Sequence, residues 1–199
     1  IDSISYQQAQ HELAEYIRAL ESKQHFKVYT VVDRWGVPDS IRATLKGLHA
    51  RPHEAIIGAV FIGDIPIPMI RDAQHLCSAF KMSQKMPWQE SSVPSDRYYD
   101  DFSLQFDFLK RDSTAPYYYY SLSARGSQQV HPDLFSGRIR PTDGDMPGSR
   151  YTKLKAYLQK ATEAKLHPER MMSVFVYTGS GSLSESKTAH IDEMASMHA

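Results

Sequence analysis

The chain has 199 residues, 41% of them hydrophobic, and equal numbers of Lys plus Arg and of Asp plus Glu, 23 each. That length suits one globular domain, or one large domain cut short, with enough chain to bury a core. A net charge of zero with His neutral supplies no cationic surplus for nucleic acid or an anionic membrane, so neither is an expected partner. The single cysteine, Cys77, cannot form an internal disulfide, and no Cys/His group has zinc-site spacing. The longest apolar runs, Ile56 to Ile62 and Val174 to Tyr177, are too short to span a bilayer. The first residues carry no initiator Met and no basic leader, so the sequence reads as a processed form or an expressed segment.

In chain order, Ala9, Leu13, Tyr16, Ile17 and Leu20 share one face of a helix predicted over Tyr6 to Leu20, with Ser5 as its N-cap. Phe26 to Val32 is rich in β-branched and aromatic residues and reads as a strand. Pro38-Asp39-Ser40 opens a helix that buries Ile41, Leu45 and Leu48. Ala55 to Ile62 is a second strand, apolar on both faces, as in the middle of a parallel sheet. Helix, strand, helix, strand implies a right-handed βαβ unit and an α/β layer fold with a largely parallel sheet flanked by helices.

Ile65-Pro66-Ile67-Pro68 breaks that pattern, and residues 69–131 read as a long irregular insertion. Alternation predicts a hairpin within it, from Phe102 to Phe108 and Tyr117 to Ser121. Asp133 to Ile139 is a short strand, and Ser149 to Ala164 a helix with Leu154, Tyr157, Leu158 and Ala161 inward. Met171 to Tyr177 reads as another strand, Thr178 to Ser186 as a Gly/Ser loop and Ser186 to His198 as the start of a helix. No repeat or linker divides the chain, which reads as one domain over residues 1–199.

Three segments occur in a telling order. Ala59-Val60-Phe61-Ile62-Gly63-Asp64-Ile65-Pro66 is a strand ending in Gly-Asp-x-Pro. Pro94-Ser95-Asp96-Arg97-Tyr98-Tyr99-Asp100-Asp101 follows, and then Pro132-Asp133-Leu134-Phe135-Ser136-Gly137-Arg138-Ile139. Together they resemble the gingipain-type cysteine peptidase family, over roughly residues 5–199. The resemblance implies a caspase-like, three-layer arrangement and a bacterial, secreted or cell-surface endopeptidase acting on peptides or proteins. In that family a His of a His-Gly pair activates a Cys at the carboxyl edge of the sheet, the thiolate attacks a peptide carbonyl, and the acyl-enzyme is hydrolysed. This chain has no His-Gly pair, and Cys77 sits in the insertion, so no catalytic residue is carried over. The dyad is expected beyond Ala199, with this segment supplying scaffold and one wall of the cleft. The alternative is a non-catalytic binding or scaffolding module of the same fold. A weaker third reading is a small-molecule hydrolase that uses the Asp-rich loop with a metal.

Each candidate site also has a plain reading. Gly63 and Asp64 end a strand, where clefts form, but a tight turn and local amide capping explain them too. Thr178, Gly179 and Ser180 border the substrate pocket by resemblance, or form an ordinary surface loop. Arg138, in an apolar strand, needs a carboxylate partner, and Asp96 or Asp64 can supply it. Asp96, Asp100 and Asp101, with Asp107 nearby, can offer oxygens to calcium, which the resembled family often binds, although no EF-hand spacing is present. No cofactor is required. His75 and Cys77 are two apart and share no helix face, and Tyr117 to Tyr120 can stack on a ligand or pack on the core. An open parallel sheet would leave an apolar edge exposed, so the segment is expected either to belong to a longer ordered chain or to self-associate through that edge.

Overall fold

The computed structural model describes residues 1–76 and 83–168. Within them the chain is α/β, with two sheets and helices packed against them. The predicted strand Met171 to Tyr177, the loop that follows it, the last helix and Cys77 lie outside the described residues.

The amino-terminal helix is two helices, α1 (Ser3–Gln8) and α2 (Gln10–Gln24), interrupted at Ala9. The N-cap is Asp2, one turn earlier than the predicted Ser5. Its carboxylate accepts the otherwise orphaned N–H groups of Ile4 and Ser5, each at 3.0 Å. Helix α3 (Pro38–His49) starts with proline in its first turn, where a missing N–H removes no bond, and it buries Ile41 and Leu45. Helix α6 (Ser149–Leu166; α4 and α5 are the short helices of the insertion given below) lies against α2. Leu154 and Leu158 meet Ala9, Leu13 and Ile62 in a closed apolar cluster. Tyr157, expected inward, is instead 52% exposed. The buried stripe is narrow, and one residue away from Leu158 the helix already turns to solvent.

The first sheet is a parallel pair, β1 (Gly58–Ile62) and β6 (Phe135–Ile139), in the register Gly58↔Phe135 to Ile62↔Ile139. The predicted strand Phe26 to Val32 is not part of either sheet, which is the first correction. Its composition favours a strand, but a strand exists only where a neighbour accepts its ladder, and the partner edge of β1 stands apart from it. Only Asp33, one residue later, forms a parallel bridge, to Asp2.

The second correction concerns residues 69–131. They hold most of a four-stranded sheet in the order β3-β2-β5-β4, built from β2 (Ile67–Arg71), β3 (Val93–Pro94), β4 (Phe106–Arg111) and β5 (Tyr117–Leu122). The predicted hairpin is present as β4 and β5, antiparallel with a register shift after Phe108. Strand β2, read from its prolines as a break, is a central strand, parallel to β5 and antiparallel to β3. Pro68 is tolerated because its carbonyl, accepting from Ser95 N–H at 3.0 Å, faces the two-residue β3. Its missing N–H therefore costs β5 nothing. Two parallel and two antiparallel pairings replace the largely parallel sheet expected.

Short helices α4 (Trp88–Ser91) and α5 (Arg97–Asp100) complete the insertion. Tyr98, Tyr99, Tyr118 and Tyr120 pack with Ile70, Leu104 and Leu122 against Phe61, Ile41, Leu45 and Leu134, so one core runs from the insertion to the β1–β6 pair. The tyrosine run thus takes the plain reading. Each buried ring stabilises by roughly 1.5–3 kcal/mol, and each hydroxyl keeps a partner. Tyr98 and Tyr120 donate to the two Asp39 carboxylate oxygens at 3.0 and 2.8 Å, and Tyr99 donates to Pro66 O at 2.8 Å. Burial pushes the Tyr98 hydroxyl up to about 12, so it stays a donor.

Candidate functional site

The carboxyl end of the parallel pair is where an α/β sheet places ligands. Strand β1 ends in Gly63, held at φ +86°, a backbone region that disfavours a Cβ. Space excludes one as well, because an added Cβ would overlap the Asp2 carboxylate and the Ser5 hydroxyl. Gly63 N–H continues the ladder to Ile139 O at 2.9 Å, and Asp64 N–H donates to Asp2 Oδ2 at 2.8 Å. The local amide cap expected of Asp64 is therefore supplied by Asp2. Burial opposes the Asp2 charge, yet hydrogen bonds from the Ser5 hydroxyl and the Ser5, Asp64 and Ile4 amides prevail and hold its pKa below the ordinary value.

The Asp64 side chain has different work. Oδ1 lies 2.8 Å from Arg150 Nη2 and 3.4 Å from Arg140 Nε, and 47% of the side chain is exposed. The Asp2 carboxylate lies beside Asp64, so two guanidiniums meet two carboxylates at this strand end, in an ion-paired cluster. That pairing raises the Arg150 pKa. Sequence reading missed both arginines, since only the fold brings residues 140 and 150 back to position 64.

Arg138 does not pair with Asp64. It grips Asp96, with Nε to Oδ2 at 3.1 Å and Nη2 to Oδ1 at 2.8 Å, and donates to Ile65 O at 2.8 Å and Pro66 O at 3.2 Å. Both nitrogens of the fork engage both oxygens, the geometry Arg can make and Lys cannot. The second and third sequence segments are thus joined to the first through one side chain.

Asp100 and Asp101 are fully buried. The Asp100 carbonyl accepts from the Asp133 and Leu134 amides at 2.8 and 3.2 Å. One oxygen of its carboxylate accepts from the Ser136 hydroxyl and lies 3.0 Å from Arg97, while the other is buried with no hydrogen-bond donor. Burial raises the Asp100 pKa, partly offset by Ser136 and Arg97. Asp101 Oδ1 accepts from the Ser103 amide and hydroxyl and from the Leu104 amide, and Oδ2 accepts from His131 N–H at 2.7 Å. The carboxylates of Asp96, Asp100 and Asp101 are turned to separate protein donors. Among the described residues no group of three His, Cys, Asp or Glu side chains is placed to hold a metal ion. Asp107 pairs with Arg125.

His75 Nε2 meets Gln128 Oε1 at 2.9 Å, away from the strand end. Thr178, Gly179 and Ser180 lie outside the described residues. The described part of the site is a strand end closed by the ion-paired cluster of Asp64, Arg140 and Arg150, and the single thiol, Cys77, lies outside the described residues. Among the described residues no helix is long and apolar enough to cross a membrane. Comparison with family models, with curated proteins and with solved structures found no match.

Proposed function

We propose that this chain is the scaffold and substrate-cleft portion of a gingipain-like cysteine endopeptidase with a caspase-like fold, whose His/Cys dyad lies beyond the segment. One observation supports the reading. The three sequence segments that carry the resemblance pack on one another at the carboxyl edge of a parallel strand pair, tied by Arg138 to Asp96 and to the carbonyls of Ile65 and Pro66. Such an edge is where a thiol and an imidazole from later strands would reach a peptide carbonyl. In this reading Gly63 and Asp64 form one wall, and Arg140 and Arg150 hold Asp64 in place along it.

The test is the reading frame past Ala199, followed by peptide hydrolysis with the longer protein. A strand-end His-Gly and a later strand-end Cys, with hydrolysis lost on Cys→Ala, would support the peptidase. Other residues at those positions, or no hydrolysis, would sink it.

The second reading, a non-catalytic binding or scaffolding module, draws on a separate observation. The carboxylates of Asp96 and Asp101 are spent on structural donors, so these motif residues need no catalytic role to explain them. A longer chain without the dyad that still captures a peptide or protein would favour it.

A further inference from the structure

An apolar cavity of about 850 Å³ lies between β1 and the segment Phe26 to Val31, floored by residues of α2 and α3 such as Leu13, Ile17 and Leu45. Among the described residues, its side walls are the backbones of two segments that do not meet. Phe135 N–H donates to Ile57 O, and Gly63 N–H donates to Ile139 O, so odd-numbered residues of β1 face β6. By the alternation of a strand, Gly58, Val60 and Ile62 direct their N–H and C=O groups to the cavity side.

At one end of the cavity the gap is already bridged. Asp2 N–H donates to Ile62 O at 3.1 Å, and Ser3 N–H donates to Asp33 O at 3.0 Å. Asp33 N–H reaches Ile1 O at 3.4 Å, and the Ile1 ammonium donates to Val31 O at 3.0 Å. Ile1 to Ser3 therefore form the last rung of a parallel ladder, with β1 on one side and residues 31–33 on the other. The ladder stops at the Ile1 nitrogen, which borders the cavity. Around the gap, Val60, Val31 and Phe26 are 44%, 37% and 44% exposed, more than residues facing a filled sheet would be.

We infer that this slot takes one further apolar β-strand of about five residues, parallel to β1 and joined through its last residue to the Ile1 nitrogen. What calls for the strand is the ladder on its two sides, not the residue at which the sequence starts. With the slot filled, residues 26–32 gain the neighbour that their composition asks for, and the sheet becomes four parallel strands. The inference is independent of the proposed peptidase activity.

The experiment compares three proteins: the 199-residue chain, the same chain with a five-residue Val/Thr-alternating extension fused ahead of Ile1, and the chain with a Gly/Ser extension of equal length. Hydrogen exchange is read at the amides of Val60, Ile62 and Val31. The Val/Thr extension is expected to slow exchange there by about tenfold or more relative to Gly/Ser, as two or more new hydrogen bonds would, and to raise the Tm. Equal exchange in the two extended forms would overturn the inference. So would concentration-dependent protection of these amides in the 199-residue chain together with a dimer in sedimentation, since the occupant would then be a second copy.

Discussion

The β1–β6 pair and the sheet of the insertion reverse the roles that their sequences suggest. Strand β1 is apolar throughout, yet its Val60 is 44% exposed, and Phe135 of its partner β6 is 82% exposed. The insertion is broken by prolines and polar runs, yet Tyr99, Tyr119, Tyr120 and Ile70 are among its almost fully buried residues. The difference lies in neighbours. The tyrosines of the insertion pack on α3 and β1, with the hydroxyls of Tyr98, Tyr99 and Tyr120 each given a partner, whereas among the described residues β1 presents half of its ladder to an apolar gap. An apolar strand records what the sheet needs on both sides, and a tyrosine-rich segment brings polar ends that let it be buried in an irregular setting.

The largest expected effect tests the joint between the two regions. Tyr99 stacks on Phe61 at 4.9 Å and donates to Pro66 O, with no exposed surface. Tyr99→Ala is expected to cost about 3–5 kcal/mol in denaturant unfolding. A cost below about 1 kcal/mol would mean that the two sheets are not one packed unit. Arg138→Ala comes next, at about 2–4 kcal/mol, because it strands Asp96 and two carbonyls in a partly buried place. A double-mutant cycle with Asp96→Asn should return a large part of that loss as coupling. Additive effects would break the link drawn between the sequence segments.

Gly63→Ala is expected to cost about 2 kcal/mol, from positive φ and from overlap with Asp2. Asp2→Ala in the same background should relieve part of it, since the overlapping carboxylate would be gone, and thermal unfolding of the two variants would show this.

The smallest effect is a pH dependence. Folding raises the Asp100 pKa, first through burial, so its contribution is fully present below the ordinary aspartate value of 3.8 and is lost as pH rises through the folded value. Wild type should therefore lose stability relative to Asp100→Asn on going from about pH 3 to pH 7. A constant difference across that range would show that the buried carboxyl titrates as it does in the unfolded chain.

Much of this was legible in the sequence because it is local. Pro38 at a helix start, Ile41 and Leu45 one turn apart, and Leu154 and Leu158 on one stripe need only the period of a helix. The need of Arg138 for a carboxylate followed from burying a guanidinium in an apolar strand, and the alternation of residues 117–121 was enough to place a strand. Other features depended on residues far apart in the chain. Pro68 could enter a central strand because the neighbour on its N–H side is two residues long, and no local pattern announces that. Asp64 meets Arg140 and Arg150, rather than Arg138, because β6 returns parallel to β1 and the helix after it starts beside the strand end. Residues 26–32 have a strand's composition and no ladder, since composition sets what a segment can pair with, and only the tertiary structure decides whether a neighbour is there.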